Sequence, residues 1–174
     1  MLYLIGNKAK IKDIYYFTAL AYHLVKQDSQ KVNNHKKYIK CLESNRIKIC
    51  KGNFNEKEIT YRNTFLYLKL KRHEEKETDV AISVKILECL FLDACDTIAI
   101  LSGDTDIVPA VKTAKKTFPD KNIVFIFPYK RKNKEIKELV PKTFSIDKSL
   151  YLKHQFPDIV EPVNITKKTK PKNW

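Results

Sequence analysis

Asp104 and Asp106 stand two residues apart, directly after the apolar run Thr97-Ile98-Ala99-Ile100-Leu101, within Ser102-Gly103-Asp104-Thr105-Asp106. Such a run reads as a strand covered on both faces, and its abrupt break into small and acidic residues reads as the strand's carboxyl end. In open parallel α/β sheets, ligands bind outside the carboxyl ends of strands. Two carboxylates placed there can turn toward one crevice, and their oxygens suit a hard divalent cation such as Mg²⁺ or Mn²⁺. A structural role competes, with Asp104 forming an Asx-turn and Asp106 capping the helix that follows. Asp79 is the third candidate. It falls in the first turn of an apolar helix that Thr78 can cap, where the helix dipole favours a negative charge with or without a ligand.

The basic run Lys130-Arg131-Lys132-Asn133-Lys134 follows the strand predicted over Asn122 to Phe127, on the same carboxyl edge as the aspartates. There it could hold phosphates by charge; an ordinary exposed loop is the competing reading. The whole chain has 34 Lys and Arg against 20 Asp and Glu, a formal +14 that favours polyanions, nucleic acid first. A lysine-biased composition with many solvated faces would produce the same number. Tyr61, Phe65 and Tyr67 lie among Arg62, Lys69 and Lys71, yet aromatics in a hairpin more often pack on their own sheet than stack on bases. The four histidines are scattered and no Ser or Cys carries a hydrolase signature, which argues against a His-based triad. With only three glycines, the chain has no glycine-rich nucleotide fingerprint. Cys41, Cys50, Cys89 and Cys95 lack Cys-x-x-Cys spacing and read as reduced thiols. No signal segment opens the chain and no apolar run reaches the roughly 20 residues of a membrane span, so a cytoplasmic location is expected.

To hold these residues, the pattern predicts strands over Ile11 to Ala21 and Arg46 to Phe54, with a helix over His35 to Glu43 between them. The second strand is expected to end near Gly52, and Ile59 to Leu70 to form an extended or hairpin insertion. A helix through Val80, Ile82, Val84, Leu87, Leu90 and Phe91 then shows a broad, buried face. The Thr97 to Leu101 strand, a helix over Ile107 to Lys116 and the Asn122 to Phe127 strand complete an alternation that implies a parallel sheet with helices on its faces. Residues 1–152 make one domain on this reading, followed by a tail over 153–174 whose end, Thr166 to Trp174, is expected to be disordered.

Glu77-Thr78-Asp79-Val80-Ala81, together with Thr97 through Asp106 and Val108-Pro109, resembles the NYN domain. The resemblance implies a PIN-like, three-layer α/β/α fold with a mostly parallel sheet, and a metal-dependent ribonuclease whose carboxylate-lined crevice binds Mg²⁺ or Mn²⁺. Carried over by position, Asp79, Asp104 and Asp106 become catalytic metal ligands, Ser102 and Thr105 line the pocket, and RNA is the partner, with Lys130, Arg131, Lys132 and Lys134 near it. Two departures stand out. The family usually opens with a central strand bearing an Asp and soon after it an Asn, which Met1 to Lys10 lacks. Lys85 stands where relatives often have another Asp. An N-terminally incomplete domain with an unpaired edge between the first strand and Thr97 to Leu101 is therefore expected, with the natural start upstream of Met1. Pairing with another chain, as in a homo-oligomer, remains open. The rival reading is a non-catalytic RNA-binding or regulatory module. A phosphatase or sugar transferase using Asp-x-Asp is disfavoured, because Ile107 follows the pair where a haloacid-type phosphatase needs Thr or Val.

Overall fold

The computed structural model describes residues 9–25, 28–63, 66–157, 159–160 and 168–169. They fall into two compact units, one from Ile14–Thr78 with Phe156–Trp174, the other from Met1–Asp13 with Asp79–Gln155.

In the first unit, β1 (Tyr15–Ala19) runs parallel to the start of β2 (Lys48–Asn63), in register from Tyr15 opposite Lys48 to Ala19 opposite Gly52. Between them lies α1 (Ser29–Ser44), six residues longer at its start than the sequence pattern predicts. The cause is local: the Asp28 carboxylate accepts the Lys31 amide at 2.8 Å, so the polar stretch after Asp28 becomes the first turns of a capped helix. Val32, Ile39, Cys41 and Leu42 form its buried stripe.

Gly52 does not end β2, contrary to the sequence expectation. It marks a change of partner: beyond it β2 pairs antiparallel with β3 (Leu66–Lys76), from Asn53 opposite Lys76 to Asn63 opposite Leu66. A Cβ at position 52 would come within 2.8 Å of Thr78 Oγ1 and 3.1 Å of the Lys76 carbonyl, so glycine is what lets the strand change partners there. The expected insertion at Ile59 to Leu70 is thus the outer part of a hairpin. Past the chain's return through Phe156, whose ring meets Tyr38 edge-on at 6.0 Å, β7 (Ile159–Val160) pairs antiparallel with β8 (Lys168–Thr169). Of Thr166 to Trp174 only Lys168 and Thr169, in that ladder, are described; the rest lies outside the described residues, as do Met1 to Lys8.

The second unit follows a turn in which Glu77 takes a left-handed φ of 73°. Its elements are α2 (Thr78–Phe91), β4 (Thr97–Leu101), α3 (Val108–Thr117), β5 (Asn122–Phe127), α4 (Lys134–Leu139), β6 (Thr143–Ser145) and α5 (Lys148–Lys153). β4, β5 and β6 form a parallel sheet in that order. Ile86 and Leu90 of α2, Val108, Val111 and Ala114 of α3, and Ile136 of α4 pack with Ile123, Phe125 and Phe127 of β5 in one core. Every β5 residue after Asn122 is buried, because β5 has a neighbour on each side.

Two burial expectations change here. β4 is an edge strand, with only Ile100 buried and Leu101 49 % exposed. The apolar face of α2 is buried at Ile86 and Leu90, whereas Val80, Val84 and Phe91 are 66 %, 58 % and 79 % exposed. Apolar character is a local property, but burial needs a neighbouring element, and these positions lack one among the described residues. Among the described residues β1 and β4 belong to different sheets, each at an edge, and Met1 to Lys8 lie outside the described residues. The fold is α/β with parallel pairing, and among the described residues the strands form two three-stranded sheets and the two-stranded β7–β8 ladder.

The four cysteines are free thiols, and burial raises the pKa of Cys89 and Cys95. Among the described residues no helix is long and apolar enough to cross a membrane.

Candidate functional site

β4 and β5 are parallel neighbours with Leu101 opposite Ile126, so their carboxyl ends open on the same edge. The two loops leaving them flank an open crevice of about 550 Å³. Leu101, Ser102, Gly103, Asp104 and Thr105 line it from the β4 side, and Pro128 and Arg131 from the β5 side. This is where an α/β sheet of this kind holds a ligand.

Local hydrogen bonds shape the first loop. The Asp104 amide donates to Ser102 Oγ at 3.1 Å, and the Asp106 amide donates to Asp104 Oδ1 at 3.1 Å. Asp104 therefore takes the Asx-turn that the sequence offered as a structural alternative, and lines the crevice as well. Asp106 does not cap α3. The capping position is Ile107, without a side-chain bond, and α3 starts from its fully buried side chain and from Pro109 in the first turn.

The second loop is set by a tight turn in which the Arg131 amide donates to the Pro128 carbonyl at 3.0 Å and Lys130 is left-handed at φ 59°. Asn133 ends it, its side-chain oxygen accepting the Ile136 amide at 3.2 Å as the cap of α4. The loops meet at Gly103, where a Cβ would lie 2.5 Å from the Arg131 carbonyl oxygen and 3.1 Å from Arg131 Cβ. Glycine is required for that approach.

Of the residues singled out from sequence, Ser102, Asp104, Thr105 and Arg131 meet at the crevice, and Asp106 follows in the same loop without lining it. The Lys130 ammonium stands over the Tyr129 ring at 5.3 Å, Lys132 is exposed, and Lys134 lies 3.8 Å from Glu138. None of these three lines the crevice. Asp79 is half-buried in the first turn of α2. Among the described residues, no group of three or more His, Cys, Asp or Glu side chains could hold a metal ion. Lys85, on the same helix as Asp79, donates to Glu88 at 2.5 Å. The donors at the crevice edge are of the right chemical class, since Mg²⁺ is commonly held by one or two carboxylates completed by water and substrate phosphate. A preformed cage of three carboxylates is not built from the described residues. Sequence reasoning did not single out Gly103, Leu101 and Pro128 as lining residues; a glycine at a strand end, in a chain with so few, was the available signal.

The family model of the NYN domain matches residues 4–147. The chain belongs to the NYN domain family. No curated protein and no solved structure matches it. NYN membership brings a PIN-like, nuclease-type α/β fold, a family that acts on RNA and nucleases that generally use divalent metal ions. The family match spans both compact units and includes the crevice, the α2 start and the loop carrying Arg131.

Proposed function

We propose that this NYN domain hydrolyses RNA phosphodiester bonds at the crevice between the β4 and β5 loops. The observation carrying this reading is the juxtaposition of Asp104 with Arg131 across one open cleft at the carboxyl edge of adjacent parallel strands. Arg131 is suited to meet a phosphate, because its planar guanidinium can donate two parallel hydrogen bonds while neutralising charge. Ser102 and Thr105 add hydroxyls that can donate to phosphate or ribose oxygens. Asp104 and Asp106 would hold Mg²⁺ or Mn²⁺, with Asp79 as the further ligand that the family pattern supplies. When bound, the ion would supply charge neutralisation and a water acidified toward hydroxide. The contact at Gly103 keeps the arginine loop and the aspartate loop at a fixed separation. On this reading residues 1–152 constitute the NYN domain and 153–174 its tail.

The test is cleavage of labelled single-stranded RNA with Mn²⁺, Mg²⁺ or excess chelator, with Asp104→Asn run in parallel. Removing a charged ligand while keeping its shape should abolish chelator-sensitive cutting and leave the melting temperature nearly unchanged. Cleavage that survives in the variant would overturn the assignment. A second reading, an RNA-binding module without catalysis, draws on the lack of a three-member donor group among the described residues. Salt-sensitive binding without cleavage under any metal condition would favour it.

A further inference from the structure

The crevice has two kinds of lining, and the phosphate and metal chemistry above uses only one of them. Ser102, Asp104, Thr105 and Arg131 supply polar groups, whereas Leu101 and Pro128 supply an apolar side. These two lie together because of strand register: Leu101, the last residue of β4, stands opposite Ile126, and Pro128 directly follows the end of β5. The apolar side continues along the chain into Tyr129, at the tip of the turn that the Arg131 amide closes on the Pro128 carbonyl. Leu101 and Tyr129 are both exposed, and the Lys130 ammonium stands 5.3 Å from the centroid of the tyrosine ring. Single apolar side chains scattered over a surface are ordinary, but these adjoin one another at a ligand-binding edge with an arginine beside them. An apolar wall with a few polar groups that fix orientation is the usual make-up of a small-ligand site.

We infer that Leu101, Pro128 and Tyr129 form a nucleobase subsite, holding the base of an unpaired nucleotide whose phosphate is met by Arg131. The inference rests on the RNA reading above and deepens it by adding a contact to the base. A nucleotide has the matching division, with flat, largely apolar ring faces at one end and an anionic phosphate at the other. A base must leave its own stack to lie against such a surface, where aromatic and apolar side chains meet its π-face. Every base has such a face, and the Leu101 and Pro128 side chains offer no hydrogen bond to a base edge. The subsite therefore distinguishes a base from its absence rather than one base from another.

The experiment titrates the protein, in excess chelator, with adenosine monophosphate and separately with the corresponding ribose phosphate, which carries the same sugar and phosphate without the base. The Leu101 methyl and Tyr129 ring resonances are followed by NMR, a readout that needs no variant to fold. The nucleotide should move the Leu101 methyl signals upfield through the ring current of the base, and ribose phosphate should leave them in place. The nucleotide should also bind at least about fivefold more tightly, the low end of what one stacked base contributes. Leu101→Ser and Tyr129→Ser should each bring that ratio toward one without changing the affinity for ribose phosphate, and Tyr129→Phe should retain it. Equal affinity for the two probes, Leu101 signals unmoved by the nucleotide, or a ratio that survives both serine substitutions overturns the inference. No cleavage is measured, so the outcome is separate from that of Asp104→Asn. Asp104-dependent cutting without a base response would remove the subsite and leave the nuclease reading standing; a base response without cutting would support the subsite and remove the nuclease reading.

Discussion

Gly103→Ala tests whether the contact between the two crevice loops matters to the protein. The new Cβ would sit 2.5 Å from the Arg131 carbonyl oxygen, a backbone atom that no rotamer change can move. Ordinary van der Waals contact begins at 3.4 Å, so one loop must retreat by close to 1 Å, and overpacking of this kind typically costs about 1–3 kcal/mol. Restricting the unfolded chain returns about 0.4–1 kcal/mol, leaving a net destabilisation of about 1–2 kcal/mol. For a chain of this length that corresponds to a fall in Tm of roughly 2–8 °C, readable by calorimetry or circular dichroism. The displacement also moves Arg131 relative to Asp104, so RNA cleavage should fall by more than the loss of folded protein explains, on the order of 10–100-fold for a misplacement of about 1 Å. An alanine variant with unchanged Tm and unchanged cleavage would refute the argument that the loops are held at a contact only glycine permits.

Gly52→Ala should destabilise the first unit by about 1–3 kcal/mol, because the Thr78 hydroxyl and the Lys76 carbonyl crowd the added methyl; an unperturbed urea midpoint would show that β2 can yield there. Asn133→Ala should cost about 0.5–2 kcal/mol by removing the α4 cap, and Asn133→Asp should restore most of it, as thermal melts would show. His23 has a pKa lowered by burial and then by His73, whose ring stacks on it at 3.9 Å, and its Nδ1 has no hydrogen-bond partner among the described residues. A lowered folded-state pKa means that the unfolded chain takes up the proton first, so stability falls as pH drops below the ordinary histidine value of about 6.5. The lowered pKa of His35, caused by burial and opposed by Glu75, acts in the same direction. Melting curves between neutral and mildly acidic pH should therefore show a smaller decline for His23→Phe than for the unsubstituted chain, and parallel declines would remove His23 from the account.

Local chemistry made part of this protein legible. Thr97 to Leu101 reads as a strand and Ser102 to Asp106 as its end because the change from apolar to small and acidic residues is abrupt, and both lie where expected. The Asp104 turn, α3 and the Asn122 to Phe127 strand likewise follow from short-range pattern. Partners across space were not legible. Gly52 looks like a terminator in sequence, yet it permits a strand to leave one neighbour and join another. β4 and β5 are similar apolar runs, and only their positions in the sheet make one half-buried and the other fully buried. Arg131 could be named as a basic loop residue, but its closeness to Gly103 and Asp104 depends on two loops, distant along the chain, meeting at one sheet edge. Residue type and spacing establish which groups can do chemistry, because those are properties of the chain itself. Tertiary structure establishes which of them share a crevice, because that depends on strand pairing and packing between elements far apart in sequence.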